Sequence, residues 1–150
     1  MITTRPAEDS DVAAVAGIVS RAYAMYLQRM DSEPAPMKDD YASLVADGRV
    51  AVAVDGDSGD VVGAIVRWIV DGDMYVDNIA VDPEAHGRGI GNTLLELAAD
   101  EGQRNGCGRV WLYTNAVMTE NIGFYERRGF TQYDRRTDQG YDRIYFERTL

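Results

Sequence analysis

Cysteine and histidine are almost missing from this chain, with Cys107 and His86 the single examples in 150 residues. One cysteine forms no internal disulfide, and no clustered Cys/His spacing offers a zinc site, so no metal is expected and a reducing, cytoplasmic setting is the simplest reading. Long apolar runs are missing too. The run 61–66 is cut by Arg67, far short of the roughly 20 residues a membrane helix needs, and acids stand near the N-terminus where a signal peptide is apolar. Neither a membrane segment nor export is expected. Positive charge is in deficit: 15 basic against 25 acidic residues give a net charge of -10. Such a chain repels a phosphate backbone at long range, which argues against nucleic acid as a partner and mildly favours cationic ones. The bias is weak, because exposed charges are screened beyond about 8 Å at physiological salt.

What is present suits one compact unit. About 100 to 200 residues make an ordinary domain, so a single domain over 1–150 is expected. A hydrophobic fraction of 45% supplies its core. No repeat or low-complexity tract interrupts the chain. Ile2 to Arg5 reads as a strand stopped by Pro6. Ser10 then caps a helix whose apolar positions Val12, Val15, Ala16, Val19, Ala22, Tyr23 and Tyr26 follow helical spacing. The loop Asp31 to Met37 contains two prolines, and Tyr41, Leu44 and Val45 resume a helix that Gly48 ends. Three β-branched runs follow, Val50 to Asp55, Val61 to Val70 and Met74 to Val81, reading as an antiparallel meander. After Asp82-Pro83 and a glycine-rich turn, Leu94, Leu95, Ala98 and Ala99 mark the apolar side of a helix closed near Gly106. Arg109 to Thr114 is a strand, Thr119 caps a helix from Glu120 to Arg128, and two strands lie around Phe130 to Tyr133 and Tyr141 to Glu147. The expected class is α/β, a mixed, mostly antiparallel central sheet with helices on both faces.

The chemically informative unit is strand, glycine turn, helix. His86-Gly-Arg-Gly-Ile-Gly91 precedes a helix directly, so backbone N–H groups and the helix N-terminus converge on one spot of partial positive charge, which suits an anion. A Walker loop needs Gly-Lys followed by Ser or Thr, and a dinucleotide fingerprint starting at Gly87 needs glycine at position 92, where Asn92 stands. Both fail. A tight turn with glycine for geometry alone remains the plain alternative.

The stretch Asp77-Asn-Ile-Ala-Val-Asp-Pro-Glu-Ala-His-Gly-Arg-Gly-Ile-Gly91 resembles the main signature of the GNAT acetyltransferase superfamily. His86 stands where Gln or Arg is usual. Asn121-Ile-Gly-Phe-Tyr125-Glu-Arg-Arg-Gly-Phe130 is similar to a later motif of the same family, and the order of elements fits over nearly the whole chain. The resemblance implies acetyl-CoA as cosubstrate and transfer of its acetyl group directly to a primary amine of a small molecule or protein. It also implies that the main chain of Ile79, Ala80 and Val81, on a strand splayed from its neighbour, binds the pantetheine arm and thioester. Gly87, Arg88, Gly89, Ile90, Gly91 and Asn92 would wrap the pyrophosphate. The asparagine usual seven residues before the tyrosine is replaced by Met118, with Asn115 and Asn121 flanking it. Asn121 is taken as a cofactor contact, with Asn115 open beside it.

Acetyl transfer to an amine moves two protons. An ammonium near pKa 10.4 must lose one, and at pH 7 only about one amine in 10³ to 10⁴ is neutral. The departing thiolate must gain one. Tyr125 stands in the family position of the general acid, with an ordinary phenol value of about 10; its bland reading is an aromatic packed on the sheet. Asp77 lies two residues before Ile79, on the same face of an ideal strand unless a bulge intervenes, and is the candidate base through water. Glu33, Asp73 and Tyr113 are its rivals. His86 belongs beside phosphate, away from the acyl group. Cys107 reads as a packing residue. Acids and aromatics in the Glu33 to Met37 loop and the hairpin near Gln139 to Tyr141 suit a cationic acceptor. A non-catalytic acyl-CoA binding or sensing module is the alternative, and a homodimer stays open.

Overall fold

The computed structural model describes residues 1–30 and 32–150. The elements are β1 (Ile2–Pro6), α1 (Val12–Tyr23), α2 (Tyr41–Ala46), β2 (Val50–Asp55), β3 (Val61–Val70), β4 (Asp73–Val81), α3 (Ile90–Arg104), β5 (Arg109–Asn115), α4 (Thr119–Glu126), β6 (Thr131–Asp138) and β7 (Tyr141–Thr149). Hydrogen bonding orders the strands β1-β2-β3-β4-β5-β7-β6. The fold is mixed α/β around an open, mostly antiparallel sheet, the expected class. Among the described residues no helix is long and apolar enough to cross a membrane. The chain clusters into two compact units: Met1–Arg67 with Asn78–Leu97, and Trp68–Asp77 with Ala98–Leu150.

In the first unit β1 pairs antiparallel with β2 from Ile2↔Asp55 to Pro6↔Ala51, and β2 with β3 from Val50↔Val66 to Val54↔Val61. A bulge at Ala53/Val54 shifts the second ladder. Alpha-helix α1 buries Val15, Ile18, Val19 and Tyr23. Ala16 is exposed, and the helix passes into a 3-10 turn at Ala24 before reaching buried Tyr26. Nor is Ser10 the cap. A 3-10 turn at Asp9–Asp11 starts the helix earlier, with Asp11 accepting from Glu8 N at 2.8 Å and from Arg5 Nη1 at 2.7 Å, so a carboxylate closes the first turn in place of the hydroxyl. Asp31, first residue of the expected proline loop, lies outside the described residues; Ala35–Lys38 forms a 3-10 turn. Asp40 caps α2 by accepting from Ser43 N at 3.2 Å, and Gly48, at φ +72°, ends it as expected.

In the second unit the β4–β5 ladder is parallel and short, pairing Met74 with Val110 and Tyr75 with Trp111. Beta-strand β5 then pairs antiparallel with β7 along its full length, and β7 with β6. Alpha-helix α3 contributes Ala98 and Ala99, both buried, and closes near Gly106 at φ +75°. A Cβ at Gly102 would lie 2.8 Å from Leu150 Cδ1 and 3.3 Å from Met74 Cβ, so glycine is what lets the helix approach. Thr119 is the first residue of α4 and not its cap; Met118 stands at that position and its side chain makes no capping hydrogen bond to the helix. Beta-strand β6 runs to Asp138, five residues past the expected end. Those residues carry charge without apolar alternation, and pairing to β7 alone makes them a strand. Gln139 and Gly140, both at positive φ, form the two-residue turn between them.

Candidate functional site

The first unit contains the end of β4 and the turn that follows. Asn78 and Ala80 are buried, Ile79 and Val81 half-buried. Asp82 N donates to Val62 O at 2.8 Å, keeping the strand tied to β3 where the chain turns. The Asp82 carboxylate accepts from Glu84 N at 3.1 Å and from Arg21 Nη2 at 2.9 Å, and these hold its pKa below the ordinary range, the backbone bond most of all. Pro83 opens a 3-10 turn, and Gly87 and Gly89 take φ +83° and +72°. No atom lies within 4 Å of where a Cβ would stand at either glycine, so they serve backbone shape and leave the space above it open.

Helix α3 starts at Ile90, and its first backbone bond in this turn is Thr93 N to Gly89 O at 3.0 Å. By helix geometry the N–H groups of Ile90, Gly91 and Asn92 have no partner within the helix and carry partial positive charge. Gly63 brings the helix close to the sheet. A Cβ there would stand 2.8 Å from Ile90 Cγ2, 3.2 Å from Leu94 Cδ1 and 3.3 Å from Ala80 O. Arg88 donates to Asp55 Oδ2 at 2.9 Å, anchoring the turn to the end of β2 and holding the Asp55 carboxyl below its usual value. This cradle of open main chain, helix terminus and glycine fits the two phosphates of a coenzyme A pyrophosphate.

The second unit contains Asp77, Asn121 and Tyr125. Tyr75 donates its hydroxyl to Asp77 Oδ1 at 2.9 Å. The Tyr75 ring is fixed by Trp68, edge-on at 5.0 Å, by Trp111 at 4.4 Å and by Tyr113 at 6.0 Å between centroids. Burial, then the Asp77 charge and Tyr113, push the Tyr75 phenol far above 10, so it stays a donor at every working pH. Of the rivals to Asp77, Asp73 is committed to Arg109 Nε at 3.0 Å, Tyr113 lies under the Arg143 guanidinium at 4.3 Å, and Glu33 is exposed in the first unit. Tyr125 is buried, its ring against Phe124, Phe130 and Phe146 at 5.2, 5.7 and 6.1 Å. Asn121 Nδ2 points to Thr114 Oγ1 at 3.4 Å and Met118 Sδ at 3.7 Å, and Asn115 Oδ1 accepts from Val117 N at 3.1 Å.

Tyr75, Asn78 and Asp55 were not among the residues expected at the site. Alternation along β4 points to Tyr75, two residues before Asp77, and a lone amide in an apolar strand points to Asn78. Asp55 and Arg88 are 33 residues apart, with no local signal for their pairing.

The sequence model of the acetyltransferase (GNAT) family matches residues 16–130. The streptothricin acetyltransferase of Streptomyces lavendulae is 37% identical over 87 residues, 57% of this chain and 46% of that protein. The [ribosomal protein bS18]-alanine N-acetyltransferase of Escherichia coli K12 is 36% identical over 69 residues, 46% of each chain. The chain thus spans about half the length of these sequence relatives. The crystal structure of PaiA N-acetyltransferase from Thermoplasma acidophilum in complex with coenzyme A superposes with TM-score 0.84 over 100% of this chain and 99% of that one at 18% identity, a likeness of fold.

Proposed function

We propose, on the premise that the chain belongs to the acetyltransferase (GNAT) family, that it is an N-acetyltransferase moving an acetyl group from acetyl-CoA directly to a primary amine of a small molecule or protein. The observation that carries this reading is the open cradle formed by Gly87, Gly89 and the first turn of α3 behind the end of β4. Within it, Gly87 to Asn92 hold the pyrophosphate by N–H groups, and the main chain of Ile79 to Val81 holds the thioester and its developing oxyanion. Contact with these donors outweighs a net charge of -10 whose members are screened. When bound, acetyl-CoA supplies an activated acyl carbon and a thiolate leaving group.

The remaining roles belong to the second unit. Asp77, oriented by Tyr75, accepts through water the proton the amine must lose. Tyr125, its ring clamped by three phenylalanines, donates to the departing sulfur. Asn121 contacts the cofactor once its weak bond to Thr114 is exchanged. The relatives named for streptothricin and for a ribosomal-protein alanine support an amine acceptor, and the acidic balance of the chain supports a cationic one. A single domain over 1–150 in the cytoplasm belongs to the same proposal, with Cys107 buried and unpaired. A sensing module has less in its favour, since it has no use for Tyr125. Thiol release from acetyl-CoA across a panel of small amines and amino-terminal peptides tests the reading. Transfer to one of them is the expected result, and acetyl-CoA binding with no transfer to any would favour the sensing module.

A further inference from the structure

Strands β5 and β7 present two unlike faces. Leu112, Ile144 and Phe146 are buried on one, with the Tyr125 ring of α4 packed 6.1 Å from Phe146. By alternation Tyr113, Arg143 and Tyr145 lie on the other, where the register pairs Tyr113 with Tyr145 and Asn115 with Arg143. Asp77 belongs to this second face, because the Tyr75 ring stacks on Tyr113 at 6.0 Å and its hydroxyl reaches the carboxylate. Arg143 carries the buried charge here, its side chain 6% exposed. The guanidinium lies over the Tyr113 ring at 4.3 Å and the Tyr141 ring at 5.3 Å, which fixes its plane. Among the described residues its one hydrogen bond runs from Nη1 to Asp138 Oδ2, at 2.8 Å. Asp138 ends β6 beside the two-residue turn with its side chain 49% exposed, so this end of the guanidinium meets solvent. The Nε–Nη2 edge, the fork that takes a carboxylate by two parallel bonds, has no partner among the described residues and is not sealed from solvent. A permanently charged group compensated by one exposed, screened carboxylate keeps capacity for a second anion.

The geometry points to Arg143 as the subsite for a carboxylate carried by the acceptor, at the end of the molecule remote from the amine that Asp77 deprotonates. The inference rests on the acetyl-transfer reading and narrows its acceptor to an amine that bears a carboxylate several bonds away. Contacts run from Asp77 through Tyr75 and Tyr113 to Arg143, so two phenol rings link the site of the amine to that of the acid on one face of the sheet. An amine with a distant carboxylate keeps its cationic end for Asp77 and gives its anionic end to the fork. Arg143 touches no reacting atom and acts on which amine is chosen. Asp138, on its exposed turn, competes with the incoming carboxylate for the same guanidinium.

Linear ω-amino acids of increasing length, from glycine upward, and their carboxamides are the probes, each pair differing only in the charge of the far end. The wild type should prefer the best acid over its carboxamide by about 10- to 100-fold in kcat/KM, the scale of a hydrogen bond to a charged group. In Arg143→Gln that ratio should fall to near one. Asp138→Asn, at a half-exposed side chain, should raise it by removing the competitor, and this opposite sign decides the matter even if the Arg143 variant does not fold. A wild type that prefers no acid over its carboxamide, or that acetylates other amines and none of this series, overturns the subsite. So does a ratio that Asp138→Asn leaves unchanged or lowers, which would make the Arg143–Asp138 pair a strut of the hairpin. Absence of transfer by the wild type to every amine tried overturns the acetyl-transfer reading instead, which separates the two failures.

Discussion

Tyr75 and Asp77, two residues apart on β4, are joined by a 2.9 Å hydrogen bond in which the buried phenol donates to the carboxylate. Trp68, Trp111 and Tyr113 pack around the Tyr75 ring, so the carboxylate is met by a buried, packed phenol. If Asp77 is the base, Asp77→Asn lowers turnover most near neutral pH and recovers toward pH 9 or 10, where more of the amine is already neutral. Tyr75→Phe alone should cost about 10- to 100-fold, the scale of a hydrogen bond to a charged group. In the Asp77→Asn background the same change should cost nothing further. Additive losses in this double-mutant cycle would detach Tyr75 from the carboxylate.

Acetyl-CoA should stabilise the protein by about 2.7 kcal/mol at a hundredfold excess over its dissociation constant. Gly91 is the second residue of α3, inside the proposed phosphate cradle. Gly91→Glu places a side chain and a negative charge there, and should abolish the ligand-induced rise in Tm while the domain stays folded. A normal rise in the variant would move the site elsewhere.

Tyr125→Phe retains the ring packing against Phe124, Phe130 and Phe146 and removes only the hydroxyl. Turnover should fall about 10²- to 10⁴-fold with acetyl-CoA affinity little changed, the usual effect of losing a positioned acid. Single-turnover rates make the comparison independent of product release; equal rates would leave Tyr125 a packing residue.

Gly63 couples the sheet to the start of α3. Gly63→Val sets a branched side chain against Ile90 Cγ2 and Ala80 O, where even a Cβ would lie at 2.8 and 3.3 Å. Overpacking of this kind costs about 1 to 3 kcal/mol. Because Ile90 begins the helix, acetyl-CoA affinity should weaken along with Tm. Loss of stability with unchanged affinity would show that the cradle tolerates a shifted helix.

Asp11 accepts from Glu8 N and from both terminal nitrogens of Arg5, at 2.7 and 3.1 Å, and these bonds, the Arg5 one foremost, hold its pKa below the ordinary carboxylate value. A depressed folded pKa contributes stability that is present above the unfolded value, about 3.9, and is lost as pH falls through the lower folded value. Asp11→Ala should therefore lower Tm by several degrees at pH 7, and the gap to wild type should start to narrow near about pH 4 and close as pH falls through the lower folded value. A gap that persists unchanged at pH 3 would assign the effect to packing.

Several features were legible in the sequence because local chemistry decides them. Helical spacing placed α1 and α3, β-branched runs bounded by Asp-Gly placed β2, β3 and β4, and Asp82-Pro83 followed by glycines marked the turn that forms the cradle. Gly87 and Gly89 take the left-handed backbone for which glycine is suited, so the residue type announces the shape. The tertiary structure decided what depends on partners far along the chain. Ser10 could cap a helix on its own chemistry, but Arg5 and Glu8 bring the carboxylate of Asp11 there first. The charged half of β6 has no apolar period and is a strand only because β7 pairs with it. Arg88 has no neighbour in sequence that predicts Asp55, and the reason Gly63 must lack a side chain is Ile90, 27 residues later in the chain. An amide in an apolar strand could be noticed at Asn78, whereas the lack of a donor to its Oδ1 among the described residues is visible only in the folded chain, where Tyr41 commits its proton to Pro36.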